Sequence, residues 1–318
     1  MITLLNCKNT FEQNTKTSNS ELFDCIIDLP AELQSLIIHL TSLSPYIASL
    51  IKLEHAWLKS IVNKEVNRTF NQILNEKYFG TSFGDLRDKL RVAKRRSNLL
   101  IILADFGGIW DLTEVTKNLS IFAERVLTVS LNHLIFYEFK RLDYKNFMVQ
   151  PNSYFNSRSK ASEESGIIVL AMGKLGSYEL NYSSDIDLIF LFDEKKYLPT
   201  SYLEIRSVFI KIVRNLVKLL SEVTEKGHIF RVDLRLRPDP SSNPICIGSN
   251  VAQNYYEIFG RNWERAALIK ARPICGDVRA GKSFLKRLFP FVWRKNLVFE
   301  AVSEVNNIRN QMELGTTD

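Results

Sequence analysis

The segment "DIDLIFLF", residues 185 to 192, limits what this chain can fold into more sharply than any other. Its apolar run reads as a buried strand, yet two carboxylates, Asp185 and Asp187, stand at its head. "GIIVLAM" (166–172) is uniformly apolar and reads as a second buried strand, and "YLEIRSVFIKIVRNLVKLLSEVTE" (202–225) as an amphipathic helix. The fold class expected from these elements is α+β.

Side chains alternate along a strand, so Asp185 and Asp187 point the same way. Two carboxylates that close repel each other and raise one pKa unless a cation intervenes. Magnesium suits such a place. It takes oxygen ligands in an octahedron, one or two of them protein carboxylates, and leaves the rest to water and substrate phosphates. "HIFRVDLRLRP" (228–238) reads as a third strand with strict alternation. Val232, Leu234 and Leu236 take one face; Arg231, Asp233, Arg235 and Arg237 take the other. Set beside the first carboxylate strand, Asp233 would complete a three-carboxylate metal cage. Arg235 and Arg237 would hold phosphate oxygens in a fork that lysine cannot match. The plainer alternative is an exposed face of self-neutralising charges. Gly176 and Ser177 follow the 166–172 strand. A glycine there lets backbone approach a phosphate, and the Ser177 hydroxyl can bind its oxygens. With Ser184, beside Asp185, these residues make the candidate nucleotide-binding set.

Residues 21 to about 150 read as helical, with apolar residues spaced at three and four and almost no glycine. In "FGDLRDKLRVAKRRSNLLIILADFGG", Leu86, Leu90 and Ala93 share one face. Arg87, Lys89, Arg91, Lys94, Arg95 and Arg96 crowd the rest, either as a solvated basic face or as a docking face for an acidic partner or phosphates. In "GGIWDLTEV" the helix breaks and restarts, with Asp111 and Glu114 spaced as a capping box. "YKNFMVQPNSYFNSRSKASEESG" is polar and aperiodic and reads as a linker. The expected organisation is a leader over 1–20, a helical region over 21–150, a catalytic domain over 160–275 and a helical tail from 283. The chain has 318 residues, with 45% hydrophobic and 24% charged, as in a soluble globular protein. No run of about 18 uncharged apolar residues occurs, so no membrane association is expected. Cys7, Cys25, Cys246 and Cys275 show no zinc spacing and read as free thiols of a reducing cytoplasm. His133 lies in an apolar helical stretch and reads as packed rather than ligating. The net charge of +7 suits an anionic partner; no nucleic-acid motif accompanies it.

The order strand, Gly-Ser, short spacer, Asp-x-Asp, then a later strand aspartate resembles the nucleotidyltransferase superfamily built on the DNA polymerase β-like palm. More closely, "GKLGSYELNYSSDIDLIF", "RVDLRLRPDPSSNP" and "YYEIFGRNWERAALIKARPICGD" are similar to the glutamine synthetase adenylyltransferase family. The wording "LNYSSDIDLIF" is more similar to the N-terminal, adenylyl-removing unit of that family than to its adenylylating one. The resemblance implies a mixed-sheet palm with a helical region before it. It also implies removal of AMP from a tyrosine of glutamine synthetase by phosphorolysis, with ADP and ATP as nucleotides. Magnesium or manganese would be held by Asp185, Asp187 and Asp233, and a PII-type signalling protein is an expected further partner. Ala171 and Ser177 stand where the family often has glycine. The family continues beyond "NNIRNQMELG", whereas this sequence ends at Asp318, so the attaching unit is expected to be absent. Two alternatives stand beside this: a superfamily member modifying another substrate, and a non-catalytic binding fragment. "NYYEIFGRNWERAALIKA" also has a bland reading as a packed helix with Trp263 inside and Glu264 and Arg265 outside.

"GDVRAGKS" (276–283) matches the P-loop spelling letter for letter. Pro273 before it and Pro290 after it argue against the strand and helix a P-loop needs. It is expected to be a surface turn after a strand.

Overall fold

The computed structural model describes residues 20–76, 82–142, 144–150, 158–225 and 227–293, together with Leu4. Most of the expected leader, Cys7, residues 151–157 of the expected linker and the tail beyond Trp293 lie outside the described residues. The chain forms two compact units. One comprises Met1–Arg125, Glu179–Tyr182 and Val223–Ile229; the other comprises Val126–Tyr178, Ser183–Glu222 and Phe230–Asp318.

The first unit is helical, with α1 (Ser20–Ile26), α2 (Ala31–Leu43), α3 (Pro45–Ile61), α4 (Val66–Leu74), α5 (Phe83–Phe106) and the first half of α6 (Leu112–Leu142). On α3 the buried Ile47, Leu50, Ile51, Leu58 and Ile61 recur at helical spacing. Ser82 and Asp85 cap α5 reciprocally: the Asp85 N–H reaches Ser82 Oγ at 3.1 Å and the Ser82 N–H reaches Asp85 Oδ2 at 3.3 Å. The expected box at Asp111 and Glu114 is present, with backbone-to-carboxylate bonds of 2.7 and 3.1 Å. Leu86, Leu90 and Ala93 are buried on one face of α5. The basic residues of α5 do not form a solvated face: of the six, only Lys89 is exposed, and Arg91 is buried. Two of them turn to Glu54 on α3, which is 4% exposed and takes bonds of 2.8 Å from Arg95 and 2.9 Å from Arg96. A buried carboxylate needs such partners.

The second unit is built on five strands: β1 (Ile167–Ala171), β2 (Ile186–Phe192), β3 (Val232–Asp233), β4 (Cys246–Gly248) and β5 (Arg272–Gly276). β1 sits between β2 and β5 and is antiparallel to both. The far edge of β2 is shared by two short parallel strands, β3 at its start and β4 at its end. Helices of this unit are the second half of α6, α7 (Ala161–Glu164), α8 (Gly173–Gly176), α9 (Tyr202–Ser221), α10 (Ser249–Phe259), α11 (Asn262–Leu268) and α12 (Val278–Val292). Ile168, Leu170, Ile189 and Leu191 pack with residues of α10 to α12, including Phe284 and Leu288. On the opposite face Phe192 stacks on Phe209 of α9 at 5.1 Å. With helices on both faces the strands must be apolar throughout, which accounts for the unbroken runs at 167–171 and 188–192. Each such Leu, Ile or Phe contributes about 1.5–3 kcal/mol by leaving water.

The third strand is shorter than its alternation predicts. It covers only Val232 and Asp233, and residues 235–238 turn away. Asp233 accepts the Arg235 N–H at 2.8 Å, a local turn that competes with a ladder. α6 is long and apolar enough to cross a membrane by composition, and 61% of its most apolar window is buried inside the protein, as in a core helix. His133 of α6 is buried. Cys246 is a buried free thiol and Cys25 a half-buried one; Cys275 is buried in β5.

Candidate active site

Asp187 is the one residue of β2 that is not fully buried. It stands directly opposite Asp233 in the parallel register of β2 and β3. Burial first, then the charges of Asp233 and Asp185, push its pKa above the usual carboxylate range; Arg235 and Lys174 pull the other way. Asp185 and Asp233 therefore both act on Asp187.

Each of the other two carboxylates already holds a guanidinium. Asp185 lies just before β2 and accepts Arg231 Nε at 2.5 Å, while Arg231 Nη2 reaches the Ser183 carbonyl at 2.8 Å. Asp233 takes Arg235 Nε at 2.8 Å, and that bond holds its pKa below the usual range. Among the described residues no group of three His, Cys, Asp and Glu is gathered closely enough to hold a metal ion. The expected three-carboxylate cage is thus not closed: Asp187 and Asp233 are paired, and Asp185 is turned to Arg231. The donors are all carboxylate oxygens and their mutual repulsion is only partly relieved, so the set suits a hard divalent cation. The arginines are exposed, 59% for Arg231 and 86% for Arg235, so each can exchange its partner at small cost.

Arg235 and Arg237 do not share a strand face. Arg237 instead binds the carbonyls of Leu234 and Pro240, both at 2.9 Å, and fixes its own loop. Gly176 is buried rather than open to a phosphate. A Cβ there would lie 2.0 Å from the Lys270 carbonyl oxygen, so close backbone packing is what requires glycine. The glycine at the carboxylates is Gly173, with φ of +52° and a Cβ position 2.8 Å from Asp187 Oδ2. Its place directly after the first strand was the available signal. Lys174, next in "GKLGS", also belongs to the site through its charge on Asp187. Ser177 is half-buried and its hydroxyl donates to the Gly173 carbonyl at 3.0 Å; Ser184 is half-buried beside Asp185.

The 249–268 segment is two helices separated at Gly260, and its packing inverts the bland expectation. Glu264 is buried at 2%, taking the Arg261 N–H at 2.9 Å and the Tyr255 hydroxyl at 3.1 Å, while Trp263 is half-buried. The segment 276–283 does follow a strand and does enter a helix, which continues through Pro290. It is still no P-loop, nor a surface turn. Residues 278–283 are themselves helical, Asp277 caps Ala280 at 2.9 Å, and Gly281 packs against Pro273.

A helix-covered mixed sheet with carboxylates side by side on two adjacent strands is consistent with a nucleotidyltransferase-like fold. The family model described as glutamate-ammonia ligase adenylyltransferase matches residues 34–287, and the chain belongs to that family. It is 36% identical over 285 residues to the bifunctional glutamine synthetase adenylyltransferase/adenylyl-removing enzyme of Bradyrhizobium sp. (strain BTAi1 / ATCC BAA-1182), covering 88% of this chain and 28% of that protein. The enzymes of the same description from Bartonella quintana (strain Toulouse) and Rhodopseudomonas palustris (strain HaA2) are 35% and 37% identical, over 95% and 91% of this chain. The chain spans 28 to 30% of the length of these relatives.

Proposed function

We propose that this chain is an adenylyl-removing unit, a nucleotidyltransferase on a DNA polymerase β-like palm. It would take AMP off an adenylylated tyrosine of glutamine synthetase by phosphorolysis in the cytoplasm, with a PII-type protein as regulatory partner. The observation that carries this reading is the register pairing of Asp187 with Asp233, with Asp185 two residues before it. Asp185, Asp187 and Asp233 would hold Mg2+ or Mn2+. The ion would neutralise phosphate charge on the attacking and leaving oxygens.

An oxygen of inorganic phosphate attacks the AMP phosphorus, the bond from phosphorus to the tyrosine oxygen breaks, and that oxygen takes up a proton. The products are ADP and unmodified tyrosine. Arg235, exposed at the edge of the carboxylates, binds phosphate oxygens as a planar fork. Lys174 adds positive charge beside Asp187, the Ser184 hydroxyl supplies a hydrogen bond, and the Ser177 hydroxyl would have to leave the Gly173 carbonyl to do the same. The test is direct. The purified chain is incubated with adenylylated glutamine synthetase, Mg2+ and phosphate, and ADP is followed. ADP matching the AMP lost supports the reading; a folded chain that releases free AMP, or nothing, contradicts it.

A further inference from the structure

Arg272 opens β5, its Cα opposite Ala171 of β1. Its guanidinium donates from Nε to the Gly176 carbonyl at 2.9 Å and from Nη2 to the Leu175 carbonyl at 3.0 Å. These carbonyls end the one-turn helix α8, where helix geometry leaves acceptors exposed. The same guanidinium lies 3.6 Å over the ring of Tyr178. Tyr178 has φ of 61°, a left-handed conformation that is costly for a side-chain-bearing residue. The stacked cation offsets that cost and fixes the ring.

The other end of this turn meets the carboxylates. The Met172 N–H bonds the Asp187 carbonyl at 3.0 Å, and the Gly173 Cβ position lies 2.8 Å from Asp187 Oδ2. Residues 173–178 are therefore pinned by Arg272 at one end and seated on Asp187 at the other. We infer that Arg272 is a positioning residue for the reaction centre. It fixes where the 173–178 turn lies against Asp187, and with it the placement of Lys174. This rests on the reading of Asp187 as part of that centre. A lysine could not replace it, because a single ammonium cannot span two carbonyls and cover a ring.

The test uses the whole chain and the variants R272K, R272A and Y178L, with two readouts. One is Mn2+ affinity without substrate; the other is steady-state ADP release. R272K and R272A are each expected to lower kcat roughly tenfold or more, since small misplacements at a reacting centre are costly, with KM for adenylylated glutamine synthetase unchanged. Both are expected to weaken Mn2+ binding several-fold, and Y178L to move both readouts the same way by less. Added guanidinium ion restores R272A but not R272K, where the lysine stem fills the space. Wild-type kcat and Mn2+ affinity in R272K would overturn the inference. So would an R272A of unchanged Tm that guanidinium fails to rescue. If R272A does not fold, R272K and Y178L decide. A wild-type chain that binds Mn2+ but yields no ADP ends the phosphorolysis reading alone, and the Mn2+ comparison still decides Arg272.

Discussion

Carboxylates meet arginines both at Glu54 and at the head of β2, and the outcomes differ. On the helical unit one buried carboxylate, Glu54, is bonded by Arg95 and Arg96, and Arg96 also lies 5.4 Å over the Trp57 ring. At the head of β2 Asp187 stands opposite Asp233 and feels the charge of Asp185, and the arginines on Asp233 and Asp185 are largely exposed. The chemistry of the pairs is the same; the number of charges and the access of water are not. Where Glu54 is sealed, losing a partner leaves a buried charge, so the pairing locks helices together. Where Asp185 and Asp233 are reached by exposed guanidiniums, partners can be exchanged, and the carboxylates can be released to other cations.

The largest effect that would break this contrast is at Asp187. D187N is expected to abolish ADP release, exceeding the roughly 10- to 100-fold that losing an outer partner of a metal ligand costs. Its Tm should be unchanged or higher, since a like-charge contact is relieved; calorimetry beside the assay checks both. Next is E54Q, expected to lose about 2 kcal/mol of stability because two guanidiniums lose their charged partner, while catalysis by the folded fraction persists. Denaturant unfolding measures it.

His133 gives a comparable but pH-dependent effect. Burial first, then the Arg158 guanidinium, lower its pKa from 6.5 to about 4. Protons then bind the unfolded chain first, so stability present above pH 6.5 is lost as the pH falls through about 4. The loss is on the order of 2 kcal/mol, and H133Q should flatten that part of the stability profile. The smallest effect is at Arg231, whose exposed pair with Asp185 contributes within about 0.5 kcal/mol; R231Q should leave Tm nearly unmoved and tighten Mn2+ binding.

The same contrast explains what the sequence disclosed. Strands buried on both faces are apolar at every position, so 166–172 and 185–192 could be read, and the aspartates at the head of the latter stood out. Reciprocal caps such as Asp111 with Glu114 are local and were equally legible. The partners of α5's arginines were not, because Glu54 lies 41 residues before Arg95 and no local pattern announces it. The alternation of 231–237 misled for a related reason. A period of two shows which residues could share a face, but a single carboxylate accepting the Arg235 N–H ends the strand after Asp233. Glycines were legible in position but not in purpose: Gly176 makes room for the Lys270 carbonyl, and Gly173 for Asp187.

On the proposed reading Asp185, Asp187 and Asp233 together bind one cation and the Glu54 pairing binds none. A Mn2+ titration of the wild-type chain, D187N and E54Q, each shown to be folded, separates the two. Saturable binding that is lost in D187N and retained in E54Q is the predicted result. Equal affinity in wild type and D187N would contradict it.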